Sequence, residues 1–550
     1  MRVGASQPDA LSAKPCAPET HVKYPCDAVA RTTTEIPSEQ RTAVSGGWII
    51  TAAILGSSLA FIDGTVVNVA LPAMQHALQT TLANAQWVVE AYALTLAALI
   101  LLGGAAGDYY GRRLVFVAGV ITFAAASAWC GLAATIQQLI MARAAQGIGG
   151  AMLVPGSLAI ISAAYPPETR GKAIGTWSGF TGITAAIGPV LGGWLVEHLS
   201  WRWVFYINLP IAIVVVAISV LFVPESCGER GKHGLDWPGA ALVTAGLGWV
   251  TFALIQLPAF GARSPAIWGT AVAGLLAIVL FLWRESRIES PLLPLGLFRS
   301  SNFSGANLLT LSLYAALGVV LFFFPYNLIG VRGYTPTQAG AANLPFIFIL
   351  FFLSRWAGGL VARYGAKLPL VIGPFVASAG FLLFARPGLE GSYWSTYFPA
   401  LVVLGLGMSG VVAPLTTTVM DSVSEQQAGI ASGVNNAVSR VASLLSIALF
   451  GLVAFHVFDS RLTDALNSSG ISPQVRTAVL EQRSRFTQIQ LPDDADPKVR
   501  NFVKSTINNS FLSAFRWVMF LSALLAALSS VAAWFMIEGE ARARPATSRT

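Results

Sequence analysis

Charge is what this chain of 550 residues has least of. Only 11% of it is Asp, Glu, Lys or Arg, where a soluble domain carries about 25%. The deficit runs along almost the whole length, and with 55% hydrophobic residues and a mean hydropathy of +0.64 it excludes a soluble globular protein. Cysteine is sparse as well: Cys16, Cys26, Cys130 and Cys227 share no metal-ligand spacing, and the five histidines are dispersed. Neither a metal site nor a cofactor is expected. The phosphate-cradling pattern GxxxxGK followed by Ser or Thr is missing, so ATP is not the direct energy source. No nucleophile–base grouping points to an enzyme. The net charge of +8 does not indicate nucleic acid, because Lys and Arg fall mostly in short connections between apolar runs, as topology signals do.

What is present is a series of apolar runs, each near the 20 residues or so that a helix needs to cross a bilayer. They lie near 47–71, 86–106, 114–134, 138–164, 173–197, 203–223, 237–257, 266–283, 302–329, 338–361, 368–385, 395–418, 428–457 and 511–536, which predicts fourteen spans and an all-α membrane protein. Residues 1–46 are polar and lack the apolar stretch and cleavage site of a signal peptide, so they read as a disordered cytoplasmic tail before an uncleaved anchor. With that tail inside, one set of loops holds eleven basic residues, among them Arg112, Arg113, Arg170, Lys172, Arg284 and Lys367. The opposite short loops hold four: Arg202, Arg263, Arg332 and Arg386. The bias predicts both termini, including the tail 538–550, on the cytoplasmic side of the inner (plasma) membrane. Segment 458–510 then lies outside. It offers a surface to a periplasmic adaptor, with a plain solvated connection as the alternative.

The chain also repeats. GGAAGDYYGRR (103–113) returns as GGLVARYGAK (358–367), with Gly104 and Gly111 matching Gly358 and Gly365 at a spacing of 254; RGKAIG (170–175) returns as AGIASG (428–433) at 258. Two related six-helix bundles, 47–224 and 301–537 (spans in 301–457 and a last span in 511–537), flank two additional helices in 225–300. Such paired halves enclosing a midplane site are a transporter architecture.

Four stretches carry a family likeness. DGTVVNVALP (63–72) resembles a first-span signature, GAAGDYYGRR (104–113) the loop between spans 2 and 3, RAAQGIGGAM (143–152) a span 4 motif, and GPVLGG (188–193) a span 5 motif of exporters. Together they resemble the major facilitator superfamily, and within it the fourteen-span drug:proton antiporters. The resemblance implies the major-facilitator fold, with a small molecule and a proton as partners in multidrug efflux. One departure is Tyr109, where that loop usually carries a basic residue.

Several residues could do the work. Asp63 lies about 12 Å inside the outer end of its run; a central carboxylate costs roughly 2.5–3.5 kcal/mol to insert, so it reads as a proton-binding group or, more plainly, as a packing group bonded to Thr65. Glu90 lies at a similar depth and is either a second such group or an interfacial residue near Trp87. Arg143 needs a carboxylate or carbonyl partner, unless it reaches an interface. These three are the expected proton-coupling set. Gly104, Asp108, Gly111, Arg112 and Arg113 form an expected gating loop in which Asp108 caps a neighbouring helix. Gly188, Pro189, Gly192 and Gly193 predict a kinked helix closely packed between the halves. Asp236 and Pro238 in LDWPG read as a helix start, and Arg440 and Arg516 as intramembrane cations without an assigned partner. Export of amphipathic or cationic molecules is the leading expectation. Export of one metabolite or antibiotic, or a non-transporting receptor or scaffold, are the alternatives.

Overall fold

A computed structural model describes residues 38–227, 234–424, 427–490 and 496–538. Among them there is no strand, and fourteen helices are long and apolar enough to span a bilayer. In chain order these are α1 (Ser38–Ala77), α2 (Leu82–Tyr110), α3 (Arg112–Leu132), α4 (Ile136–Ala164), α5 (Pro167–His198) and α6 (Asn208–Phe222, after a single turn at Trp203–Tyr206). Then follow α7 (Trp237–Phe260), α8 (Pro265–Glu285), α9 (Ser301–Tyr326), α10 (Leu344–Tyr364, after the short helix Pro336–Ala341), α11 (Lys367–Phe384), α12 (Tyr393–Asp421), α13 (Ala428–Asn467) and α14 (Pro497–Met536). The face where α1 starts and α14 ends is the terminal face; the opposite one is distal.

Every expected span is present, and several helices run well past it. Hydropathy finds only the segment that lipid requires to be apolar, whereas a helix ends where its orphan N–H and C=O groups find caps. The Thr81 hydroxyl accepts from Asn84 N to start α2, and Thr135 does the same for Gln138 N at the start of α4. Residues 38–46, expected in the polar tail, are helical; the earlier ones lie outside the described residues, as do 539–550. Segment 458–510 is not a plain loop either. It continues α13 to Asn467, forms the helix Pro473–Glu481 and the turn Arg483–Gln488, and starts α14 at Pro497. The turn crosses back over the distal face: Gln75 Nε2 donates to Arg485 O (3.1 Å), and Phe486 stacks on Phe458 at 4.5 Å.

One half packs α2 and α3 on α4, and α5 and α6 on α1. The other packs α11 and α10 on α12, with α9, α13 and α14 mutually in contact. The two repeated loops share a backbone feature, since both Gly111 (φ +121°) and Gly365 (φ +74°) have positive φ, a conformation open to glycine at little cost. Helix α7 lies along α2 of one half and α13 of the other, covering that seam from the lipid side, while α8 packs on α7. The expected helix start at Asp236 is present. Its carboxylate accepts from Gly239 N (3.0 Å) and is paired with Arg284 of α8 at 2.7 Å. Burial alone would raise the Asp236 carboxyl, but the bonds from Arg284 and Gly239 outweigh it and hold it below its ordinary value.

Helix α5 shows how the halves meet. A Cβ on Gly193 would run into the backbone of Pro336, and one on Gly340 into that of Pro189, so the distal end of α5 touches the other half backbone to backbone. The same face continues toward the terminal side as Gly182, Gly179, Gly175 and Gly171, and among the described residues none of these would meet an atom within 4 Å. Along α5 the halves therefore touch distally and part toward the terminal face, leaving a wedge-shaped gap on that side of the molecule. Gly188 and Gly192, expected to serve contact between the halves, face Thr65 and Val66 of α1 in their own half; within that motif the cross-half contact is made at Gly193 and the backbone of Pro189. The cause is the helical repeat, which puts position 193 on a different face from 188 and 192.

This geometry separates two glycine substitutions. In a background without native cysteines, Gly193→Val should open the distal end, so that a cysteine at Thr337 reacts with an impermeant maleimide several-fold faster. Gly175→Val, placed in open space, should leave that rate unchanged. Equal effects from both would contradict the wedge.

Candidate functional site

Asp63 sits deeper than its apolar run suggested. Helix α1 continues to Ala77, which puts Asp63 roughly 21 Å from the distal end. At this depth there is no water to satisfy a carboxylate, and the protein supplies the partners. Asp63 is 0% exposed, and Arg143 of α4 is 1% exposed. Arg143 Nη1 approaches Asp63 Oδ2 at 2.5 Å, and Gln146 Nε2 donates to Asp63 Oδ1 at 2.8 Å. Residues 143 and 146 can both reach Asp63 because i and i+3 share a helix face.

The rest of the guanidinium is also accounted for. Arg143 Nε donates to Val88 O of α2 (2.9 Å), Nη1 also donates to Gln146 Oε1 (2.6 Å), and the Tyr92 ring lies under it at 4.3 Å. Gln146 Nε2 donates further to Ser127 Oγ of α3 (2.8 Å), which also accepts from Asn208 Nδ2 of α6 at 3.2 Å. One buried network thus ties α1, α2, α3, α4 and α6 together. Its charged core is a matched pair, the condition under which ionised groups are tolerated in a membrane interior. Of the alternatives for Arg143, both the carboxylate and the carbonyl partner are present and the interface is not, and Thr65 is not the partner of Asp63: its hydroxyl bonds to Phe61 O and Ile62 O.

Glu90 is outside this network. It is 0% exposed, and among the described residues neither carboxyl oxygen has a hydrogen-bond partner. On α2 it follows Gln86, which donates to Ile447 O of α13, by one turn, and it lies between Trp87 (against Phe252 of α7) and Leu94 (against Gly248). The helical repeat therefore places Glu90 at the junction of α2, α7 and α13. It is neither beside Asp63 nor at an interface.

The loop between α2 and α3 forms a second polar cluster, on the terminal face. Gly111 closes α2 with its N–H on Gly107 O, and a Cβ there would come within 2.8 Å of the Glu225 carboxyl. Asp108 does not cap a neighbouring helix. It accepts from Arg112 Nε of its own loop at 2.9 Å. The cap on α3 comes from Glu225, whose oxygens accept from Arg113 N (2.9 Å) and Leu114 N (3.0 Å), while Arg113 Nη1 donates to Val223 O. A carboxylate at a helix N-terminus is favoured by the dipole. The Tyr109 ring packs edge-on against Tyr110 at 4.9 Å. Gly104, one turn before Asp108, faces Pro155 of α4.

Comparison with known proteins fits this architecture. The model of the Major Facilitator Superfamily matches residues 53–447. The chain belongs to the major facilitator superfamily. It is similar to the multidrug resistance protein Stp of Mycobacterium tuberculosis, with 34% identity over 81% of each chain. It also resembles the tetracenomycin C resistance and export protein of Streptomyces glaucescens (29% identity, 89% of this chain and 91% of the relative). The methylenomycin A resistance protein of Streptomyces coelicolor is 33% identical over 78% of this chain and 90% of its own. Among solved structures, a bacterial homologue of the human lysosomal transporter Spinster, inward-facing and unoccupied, gives a TM-score of 0.59 at 16% identity, covering 90% of this chain and 98% of that one. The inward-open xylose transporter XylE from E. coli gives 0.55 at 13% identity over 90% and 97%. These structures share the fold.

Within this superfamily member, sequence reasoning found Asp63 and Arg143 because each is a charge in an apolar run. It missed Gln146, Ser127 and Asn208, which are polar but neutral, and Glu225, which lies 112 positions from the N–H it caps. The Gln in RAAQGIGG, one turn from Arg143, was the available signal for the first.

The pair makes a double-substitution cycle informative. Asp63→Asn or Arg143→Gln alone should cost about 3–5 kcal/mol, because each leaves the other charge buried and unpaired. Both together should cost less than the sum, and thermal unfolding in detergent measures it. Additive losses would show that the two side chains do not act as a pair.

Proposed function

We propose that this chain is a proton-coupled antiporter that exports amphipathic small molecules across a bacterial inner membrane, with the terminal face in the cytoplasm. The observation that carries the reading is the Asp63–Arg143–Gln146 cluster, a titratable group buried at mid-depth in the half that borders the gap. Relatives named for multidrug resistance and for export of an antibiotic support the direction of transport.

In the described state the gap opens to the terminal face, and substrate enters there from the cytoplasm or the inner leaflet into a cavity between the halves. Rocking the halves parts the Gly193–Pro336 contact and closes the open glycine face of α5. Asp63 then takes a proton from the other side. Neutralising it removes the attraction on Arg143, which keeps Val88 O, Gln146 Oε1 and the Tyr92 ring. That rearrangement changes the affinity of the adjoining cavity for substrate, a coupling free energy between two sites. Glu90, with no partner for either oxygen among the described residues, is the second proton-carrying group in this reading. Asp108, Arg112, Arg113 and Glu225 tie α2 to α3 and to the end of α6, and so gate the terminal face. No periplasmic adaptor is included, since the turn 483–488 is engaged with its own chain.

A narrower reading, export of one antibiotic, is favoured by relatives named for single compounds. Uptake of fluorescent amphiphiles and single antibiotics into everted vesicles under an imposed pH gradient tests both. Wild type should move substrate only with the gradient, and Asp63→Asn should reduce the rate roughly a hundredfold, as loss of about 3 kcal/mol of coupling implies. Undiminished gradient-driven transport by the folded Asn variant would remove Asp63 from the coupling. Movement of a single compound would select the narrower reading.

A further inference from the structure

Helix α13, packed on α9 and meeting α2 across the seam, carries a charge that no described residue neutralises. Arg440 of α13 is only partly buried, and among the described residues it has neither an ion pair nor a hydrogen bond. Twelve residues from the start of its helix, it lies roughly 18 Å in, near the middle of a bilayer. The register of α13 fixes the direction in which it faces. Gly433 and Gly451 meet α2 at Leu101 and Gln86, whereas Asn435 donates to Asn307 Oδ1 and Thr310 Oγ1 of α9. Asn436 and Arg440, one turn apart, fall between these two stripes, Arg440 within about 20° of the one that meets α2 and Asn436 about 60° from it toward α9. Among the described residues the Asn436 side chain likewise has no hydrogen bond; only its backbone oxygen accepts one, from Ser439.

The facing groups do not supply the missing anion. The titratable group near enough for its charge to act on Arg440 is Tyr92, across the seam on α2, and a phenol is neutral at ordinary pH. Asp63 is committed to Arg143 and Gln146, and Glu90 is sealed at the α2–α7–α13 junction. A cation at this depth is expensive unless something pairs with it. A guanidinium with an amide donor one turn away suits a planar oxyanion, which Arg can hold through two parallel N–H bonds.

We propose that Arg440 and Asn436 form an anion subsite, so that the preferred substrates are amphipathic organic acids carrying one carboxylate or phenolate. This rests on the exporter reading and sharpens it, because it reverses the expectation of cationic cargo. It also fixes the charge balance: one organic anion leaving against one proton entering moves two positive charges inward. Inside-negative membrane potential then drives export in addition to the pH gradient.

The test uses the full chain in nanodiscs with pyrenebutyrate and its uncharged analogue pyrenebutanol, read by energy transfer from tryptophan. Wild type should bind the acid about tenfold or more tighter, the effect of a charge-assisted hydrogen bond. Arg440→Gln should erase that preference and leave pyrenebutanol binding within about twofold, and Arg440→Lys should keep part of it. Equal binding of both probes by wild type, or equal loss of both in Arg440→Gln, would overturn the subsite. Transport separates this from the exporter reading. Proteoliposomes that move a pyrene-linked ammonium ion but not pyrenebutyrate refute the anion subsite while export stands. If neither moves, while nanodiscs still show the Arg440-dependent preference, the subsite stands and the exporter reading falls.

Discussion

A charge placed where there is no water must bring its counter-charge with it, and much of this structure follows from that constraint. Asp63 and Arg143 are both sealed from solvent and come from different helices, so α1 and α4 cannot separate without exposing two unpaired ions to a low-dielectric interior. Gln146 and Ser127 extend the pair to α3, and Val88 and Tyr92 extend it to α2. With Asn208 of α6 added, five of the six helices of this half are tied together by one network. In the proposed cycle this half rocks, and a proton arriving at Asp63 weakens the pairing with Arg143 at the centre of the network.

Glycine sets where rocking can occur. Along α5 a single face is pressed backbone to backbone against the other half at Gly193 and stands open at Gly175 and Gly171. Small residues let helices approach closely, and the same absence of side chains leaves nothing to block approach at the open end. The seam between α2 and α13 is handled differently. It stays in contact from Gln86 to Leu101 and is overlaid by α7. The additional helix pair thus covers one of the two seams between the halves, and Glu90 lies beneath that cover.

The sequence made the membrane class, the number of spans and the core charges legible, because lipid enforces apolarity residue by residue and any exception stands out. Asp63 and Arg143 were visible for that reason. Neutral partners such as Ser127 and Asn208 carry no comparable signal, since single hydroxyls and amides are common in spanning helices. Two expectations failed on geometry. Gly188 and Gly192 form a GxxxG, but a spacing of four says only that they share a helix face, and the helix they meet turned out to be α1. Asp108 was assigned a cap that Glu225 supplies from 112 positions away from Arg113, a distance over which no local pattern reaches. Segment 458–510 had the composition of a solvated loop, yet its polar helices and the buried Phe486 are held by contacts with α1, α13 and α14.

The central claim is that proton occupancy of Asp63 and substrate occupancy of the cavity are linked. Its most direct test is the number of protons released when substrate binds to the purified protein in weakly buffered solution. The account predicts that wild type releases protons on binding and that Asp63→Asn binds substrate with no release. Release from the Asn variant equal to that of wild type would contradict the claim and move the coupling to another group.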